Sequence, residues 1–133
     1  MAHLFKRKTT KHQGDEAEDW ALAHLQARGL RLLARRFKTP GRGGGEVDLI
    51  MQERDGTVVF VEVRRRSSAA FGGAWASVDG RKRQRLVLAA RHYLQSWGQL
   101  PPCRFDVIGV QAAPQDEAWQ IDWLQAAFFL DGG

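Results

Sequence analysis

Residues 46–66, EVDLIMQERDGTVVFVEVRRR, constrain this chain more than any other stretch. Two apolar runs, EVDLIMQE at 46–53 and TVVFVEVR at 57–64, flank Arg54-Asp55-Gly56 and predict a β-hairpin. Each run also carries an acid that an ordinary buried strand would not. Side chains alternate along a strand, so Glu46, Asp48 and Ile50 share one face, and Val58, Phe60, Glu62 and Arg64 share one face of the next. The turn decides whether the two acidic faces coincide. A two-residue Asp55-Gly56 turn sets Asp48 opposite Val63. A three-residue loop with Gly56 in the left-handed conformation sets Asp48 opposite Glu62. The longer loop is expected here, because it also gathers Val47, Leu49, Val59, Val61 and Val63 on the other face.

Around this hairpin the other elements fall into order. Ala17, Trp20, Ala21, His24 and Leu25 follow helical spacing from Asp15 to about Arg28, and Gly29 is placed to end that helix. On this wheel Glu16 lies at the edge of the buried face, while Glu18 and Asp19 point to water. Leu30–Phe37 reads as a strand, followed by the loop TPGRGGG. A second helix from about Asp79 to Trp97 carries Leu86, Ala89, Ala90, Tyr93, Leu94 and Trp97 on its apolar face. RFDVIGVQ at 104–111 is a strand, and WQIDWLQAAFFL a short strand running into an apolar closing segment. That tail either packs on the sheet or joins two copies as a homodimer. The order is α, β, β, β, α, β and a tail.

A chain of 133 residues suits one core. The division expected is a flexible basic arm at 1–12 and a single domain at 13–133. Cys103 is the one cysteine, which rules out an intramolecular disulfide and a multi-cysteine zinc site and fits a cytoplasmic location. No segment reads as a signal peptide or a membrane span, so no membrane partner is expected. Residues 1–104 hold all 20 Lys and Arg against 10 acids, and the remaining 29 hold five acids and no base. Fifteen of the bases are arginine, whose planar fork suits phosphate. Nucleic acid is the partner class such a surface fits.

Two ionised carboxylates on facing strands repel, and burial disfavours ionising both. A hard divalent ion such as Mg²⁺ or Mn²⁺ would reconcile Asp48 with Glu62. Glu16 could supply a third carboxylate, and Arg64 follows Glu62 on the same face. That set suits phosphodiester hydrolysis. Plainer readings stand beside it: Asp48 as an edge residue, Glu62 paired only with Arg64 or Arg66, Glu16 as a first-turn helix acid. Asp106, within an apolar strand, is read as a salt-bridging or loop-binding acid.

The segments GDEAEDWALAHLQARGLRLLARRF, GGGEVDLI, VVFVEVRRR, FGGAWASVDGRKRQRLVLAARHYL and RFDVIGV, in that order, resemble the YraN-like family of small bacterial proteins. That family in turn resembles the PD-(D/E)xK nucleases, archaeal-type Holliday-junction resolvases above all. The resemblance implies a restriction-endonuclease-like α/β fold with a central mixed β-sheet flanked by helices. It implies a metal-dependent endonuclease acting on DNA, including branched DNA. Asp48, Glu62 and Glu16 then stand as metal ligands, Arg64 as the catalytic cation, Glu46 as a supporting acid and Lys82 as the family's lysine at the start of the second helix. One departure matters: the pattern's EVK is Glu62-Val63-Arg64 here. Arginine stays protonated and cannot act as a base. The alternative is therefore a nucleic-acid-binding module without turnover.

Arg42, in the glycine-rich loop, and Arg65, Arg66, Arg81, Lys82 and Arg83 are candidate phosphate contacts. Bases at the start of a helix run against its dipole, which favours a phosphate role for the last three. Trp75 is a candidate stacking aromatic. Trp20, Tyr93 and Trp97 are expected in the core.

Overall fold

The computed structural model describes residues 10–41, 43–66, 78–112 and 119–130. Two helices, α1 (Thr10–Ala27) and α2 (Gly80–Leu94), flank one sheet of five strands, β1 (Arg31–Lys38), β2 (Glu46–Gln52), β3 (Val58–Arg66), β4 (Cys103–Ala112) and β5 (Trp119–Phe128). The strands lie in sequence order, and the sheet is mixed, because only β3 and β4 run parallel. Parallel neighbours need a crossover, and α2 supplies it. Arg42 and Trp75 lie outside the described residues, as does most of the expected N-terminal arm.

Alternation divides the core into two layers. Leu49, Met51, Val59, Val61, Ile108 and Val110 pack with Ala17, Ala21 and Leu25 of α1. Ile50, Val58, Phe60, Phe105 and Val107 pack with Leu86, Ala89, Ala90 and Leu94 of α2, joined by Phe128 from the end of β5. The apolar tail thus folds as the fifth strand. Tyr93 and Trp97 pack against the α2 layer as expected.

The hairpin has the predicted register. Leu49 pairs with Val61 and Gln52 with Val58, and that register continued by one residue leads to Asp48 and Glu62, where the pairing ends. The loop is Arg54-Asp55-Gly56, closed by Glu53 N–H to Thr57 O and Gly56 N–H to Glu53 O, with Gly56 at φ 96. A side chain at that φ is strained, which is why glycine holds the position.

Two expectations about packing are corrected. Trp20 is 43% exposed, because the buried stripe of α1 is Ala17, Ala21 and Leu25, with Leu22 beside it. Val47 joins the α2 layer rather than Leu49 and Val59. The reason is a break in regularity at Asp48. The β2–β3 pairs stop at Leu49 and Val61, while β2 stays paired with β1 as far as Glu46. The β1–β2 register is the same at Arg35↔Leu49 and Phe37↔Val47, but Arg36, between them, has φ 54.

The glycines before β2 have a packing role. A Cβ on Gly45 would lie 1.8 Å from the backbone oxygen of Arg85, so the start of β2 presses directly on α2. Gly45→Ala should therefore push α2 off the sheet and destabilise the fold by about 1–3 kcal/mol or more, the usual cost of overpacking. Urea unfolding checks this, with Gly98→Ala as a control for a glycine that faces open space.

Candidate functional site

Where β2 and β3 part, two acids meet. Glu62 is 3% exposed, and Asp48 is largely buried and accepts the Val63 N–H at 2.8 Å. Desolvation raises the Asp48 pKa to about 7, and the charge of Glu62 and a hydrogen bond with its side chain push the same way. The Val63 N–H and the Lys82 charge oppose the shift. Asp48 thus holds a proton at a pH where an ordinary aspartate has none.

Two cations stand against the pair. Arg64 Nη2 lies 3.1 Å from Glu62 Oε2 and Lys82 Nζ lies 3.2 Å from the same oxygen. Arg64 comes from β3, two residues beyond Glu62. Lys82 comes from the first turn of α2, where Asp79 caps the helix by accepting the Lys82 N–H at 2.9 Å. Sequence order could not bring this lysine to Glu62; the crossover does.

On α1 the acid that turns inward is Glu18, not directed to water as expected. It is bound by Arg35 Nε and Arg36 Nε at 3.1 Å each, its side chain is 13% exposed, and burial pushes its pKa up. The Arg35 bond pulls that pKa down and the Asp48 charge raises it again, so Glu18 and Asp48 share a field. Asp19 is bound by Arg35 at 2.7 Å and Asp15 by Arg36, which clamps the middle of α1 to β1. With Ala17, Ala21 and Leu25 inward, a helix of 3.6 residues per turn sets position 18 nearer the buried face than position 16. Glu16 is partly buried in the same turn. The signal that could have identified Glu18 is Arg35-Arg36, two bases in a strand that needs partners for them.

Among the described residues no group of three His, Cys, Asp or Glu side chains is gathered as a metal cluster. The acidic centre is a pair. Glu46 is exposed at the start of β2, and Arg65 is exposed near the end of β3. Arg81 is exposed, whereas Arg83 is partly buried with its guanidinium 5.8 Å from the Phe128 ring centroid. The side chain of Arg66 lies outside the described residues.

Asp106 belongs to a different device. It is 1% exposed and accepts bonds from Arg104 Nε at 3.0 Å, Trp123 Nε1 at 2.9 Å and Ala126 N–H at 2.9 Å, while Arg104 also binds Glu53. The acid holds β5 across the bulge between Phe105 and Val107, where Ala126 has φ 52. This is the structural role read from its strand context.

The Asp48 shift has a stability consequence whose sign can be fixed. Because the folded pKa lies above the ordinary aspartate value, the folded state binds more protons between about pH 4 and 7. Stability contributed by the protonated form is complete below pH 4 and is lost as pH rises through 7. Denaturation of the ion-free protein across pH 4–8 should show this fall, and Asp48→Asn should flatten it.

A five-stranded mixed sheet, a helix on each face and a buried carboxylate pair at the divergence of two strands define a small α/β protein with an acidic centre ringed by cations. The family described as "Uncharacterised protein family UPF0102" matches residues 17–110. A UPF0102 protein of Paracidovorax citrulli is 59% identical over 123 residues, covering 92% of this chain and 87% of the relative. One of Albidiferax ferrireducens is 57% identical over 120 residues, covering 90% and 89%. The chain belongs to the UPF0102 family, the YraN-like family its motifs resemble. No helix among the described residues is long and apolar enough to cross a membrane.

Proposed function

We propose that this protein is a metal-dependent phosphodiesterase of restriction-endonuclease-like fold that cleaves DNA, branched or structured DNA included. The observation that carries the reading is the pairing of two largely buried acids, Asp48 and Glu62, at the parting of β2 and β3, with Lys82 and Arg64 on Glu62. A purely structural acid is surrounded by donors that satisfy it, as Asp106 is. In the Asp48–Glu62 pair both cations sit on Glu62 Oε2 while Asp48 accepts the Val63 N–H, an arrangement of two neighbouring acids that a bound ion would complete.

These residues fit a hard divalent ion. Mg²⁺ commonly takes one or two carboxylates and keeps its remaining positions for water and substrate phosphate. Asp48 and Glu62 would hold it, with Glu18 and Glu16 on α1 adding negative field. When bound, such an ion polarises the phosphate and acidifies the attacking water. The chain does the rest. The Val63 N–H fixes the Asp48 carboxylate, Arg64 fixes that of Glu62, and Lys82 keeps a positive charge beside the place where phosphate charge develops. Arg81 and Arg85, exposed on α2, extend the positive face, and Arg65 lies near the end of β3.

Arg64 in place of lysine favours a second reading, a nucleic-acid-binding module without turnover, because a guanidinium does not give up its proton. One experiment separates the two. The purified protein is offered branched, duplex and single-stranded DNA with Mg²⁺ or Mn²⁺, and with a chelator in the control. Ion-dependent cleavage supports the enzyme. Binding that weakens steeply with salt, without cleavage, supports the module. Neither binding nor cleavage overturns both.

A further inference from the structure

We infer that Lys82 of α2, and not Arg64 of β3, is the cation this site presents to a substrate phosphate, with Arg64 a positioning residue that holds Glu62. The assignment rests on the phosphodiesterase reading above. Both cations reach Glu62 Oε2, yet they differ in what else they touch and in what they can do.

Lys82 reaches the acids from α2, across the sheet face, and its ammonium lies 3.2 Å from Glu62 Oε2. Arg64 reaches Glu62 through Nη2, while its Nε is buried with no hydrogen-bond partner among the described residues. Part of its fork is therefore turned into the protein, and the bidentate grip that makes arginine a strong phosphate ligand is compromised. An ammonium needs no such fork. Carried on a flexible four-carbon stem, it can leave Glu62 for a phosphate oxygen while its backbone stays in place.

That backbone is anchored twice. Asp79 caps the helix directly on the Lys82 N–H, and the Arg83 N–H bonds Asp79 O at 2.9 Å. The Arg85 carbonyl, three residues on, sits against Gly45, where a Cβ would lie at 1.8 Å. Gly45 is three residues before Asp48 on the same chain segment. The glycine thus sets the distance between the helix that carries the lysine and the strand that carries the acid. The lysine and the carboxylate pair are one unit built from two elements.

The test is single-turnover cleavage of DNA with Mg²⁺, together with thermal unfolding, for Lys82→Met, Lys82→Gln, Arg64→Ala and Arg64→Lys in the full chain. Met keeps the stem and removes the charge, and Gln is read if the Met variant does not fold. The lysine variant should lose about 100-fold or more in the cleavage step at saturating DNA, the scale of one charge-stabilising group, with little change in DNA affinity. Arg64→Ala should chiefly raise the Mg²⁺ concentration needed for half-maximal rate, and Arg64→Lys should restore it. Wild-type cleavage that persists at full rate in both lysine variants would overturn the assignment and leave the phosphodiesterase reading standing. A cleavage step lost with Arg64→Ala instead would do the same. Absence of ion-dependent cleavage in the wild type would remove the reading and the assignment together.

Discussion

Asp48→Ala is expected to abolish ion-dependent DNA cleavage, by on the order of a thousandfold or more, since a bound ion supplies several kcal/mol to a phosphoryl transition state. The same change should remove the stabilisation of the protein by Mg²⁺ or Mn²⁺ in thermal unfolding. Cleavage that survives the substitution would come from a contaminant. Asp48→Asn makes the contrast sharper. It keeps an acceptor for the Val63 N–H and relieves the like-charge repulsion with Glu62. In ion-free buffer at pH 8 it should unfold at a higher temperature than the wild type while being inactive. A residue kept for the fold would show the opposite.

Asp106→Ala should have the largest effect on stability, about 3–5 kcal/mol, because it strips a buried ion pair of one partner. Arg104 would be left partly buried with Glu53 alone, and the Trp123 indole N–H and the Ala126 N–H would lose their acceptor. A domain whose whole stability is about 5–15 kcal/mol would be close to unfolding. Chemical denaturation measures the loss. The β5 strand should open first, since Asp106 is what holds the backbone at Ala126, and amide exchange at 121–128 would report it.

The hairpin was legible in the sequence because its determinants are local. Gly56 permits the left-handed turn residue, the turn fixes the register from Gln52↔Val58 to Leu49↔Val61, and that register leads to Asp48 and Glu62. The two helices and four of the strands were legible for a similar reason, their periodicity. The rest depends on contacts far apart in the chain. The orientation of α1 turned on Arg35 and Arg36, which draw Glu18 inward and leave Trp20 exposed, whereas apolar spacing alone favours burying the tryptophan. Val47 changed layers where β2 leaves β3 at Asp48 and Arg36 of the neighbouring strand has φ 54, features that no pattern of residue types announces. The first bases of α2 looked like a single phosphate-binding run. In the fold they divide: Lys82 faces Glu62, Arg83 lies over Phe128, and Arg81 and Arg85 are exposed. The extent of β5 was hidden because its pairing is secured by Asp106 across a bulge.

The most direct measurement is a crystal structure of the protein soaked in Mn²⁺, read at the anomalous scattering of the metal. An anomalous peak bonded to both Asp48 and Glu62, with Lys82 Nζ moved off Glu62 Oε2, is the expected result. No peak at millimolar Mn²⁺, with Lys82 Nζ still on Glu62 Oε2, would contradict it.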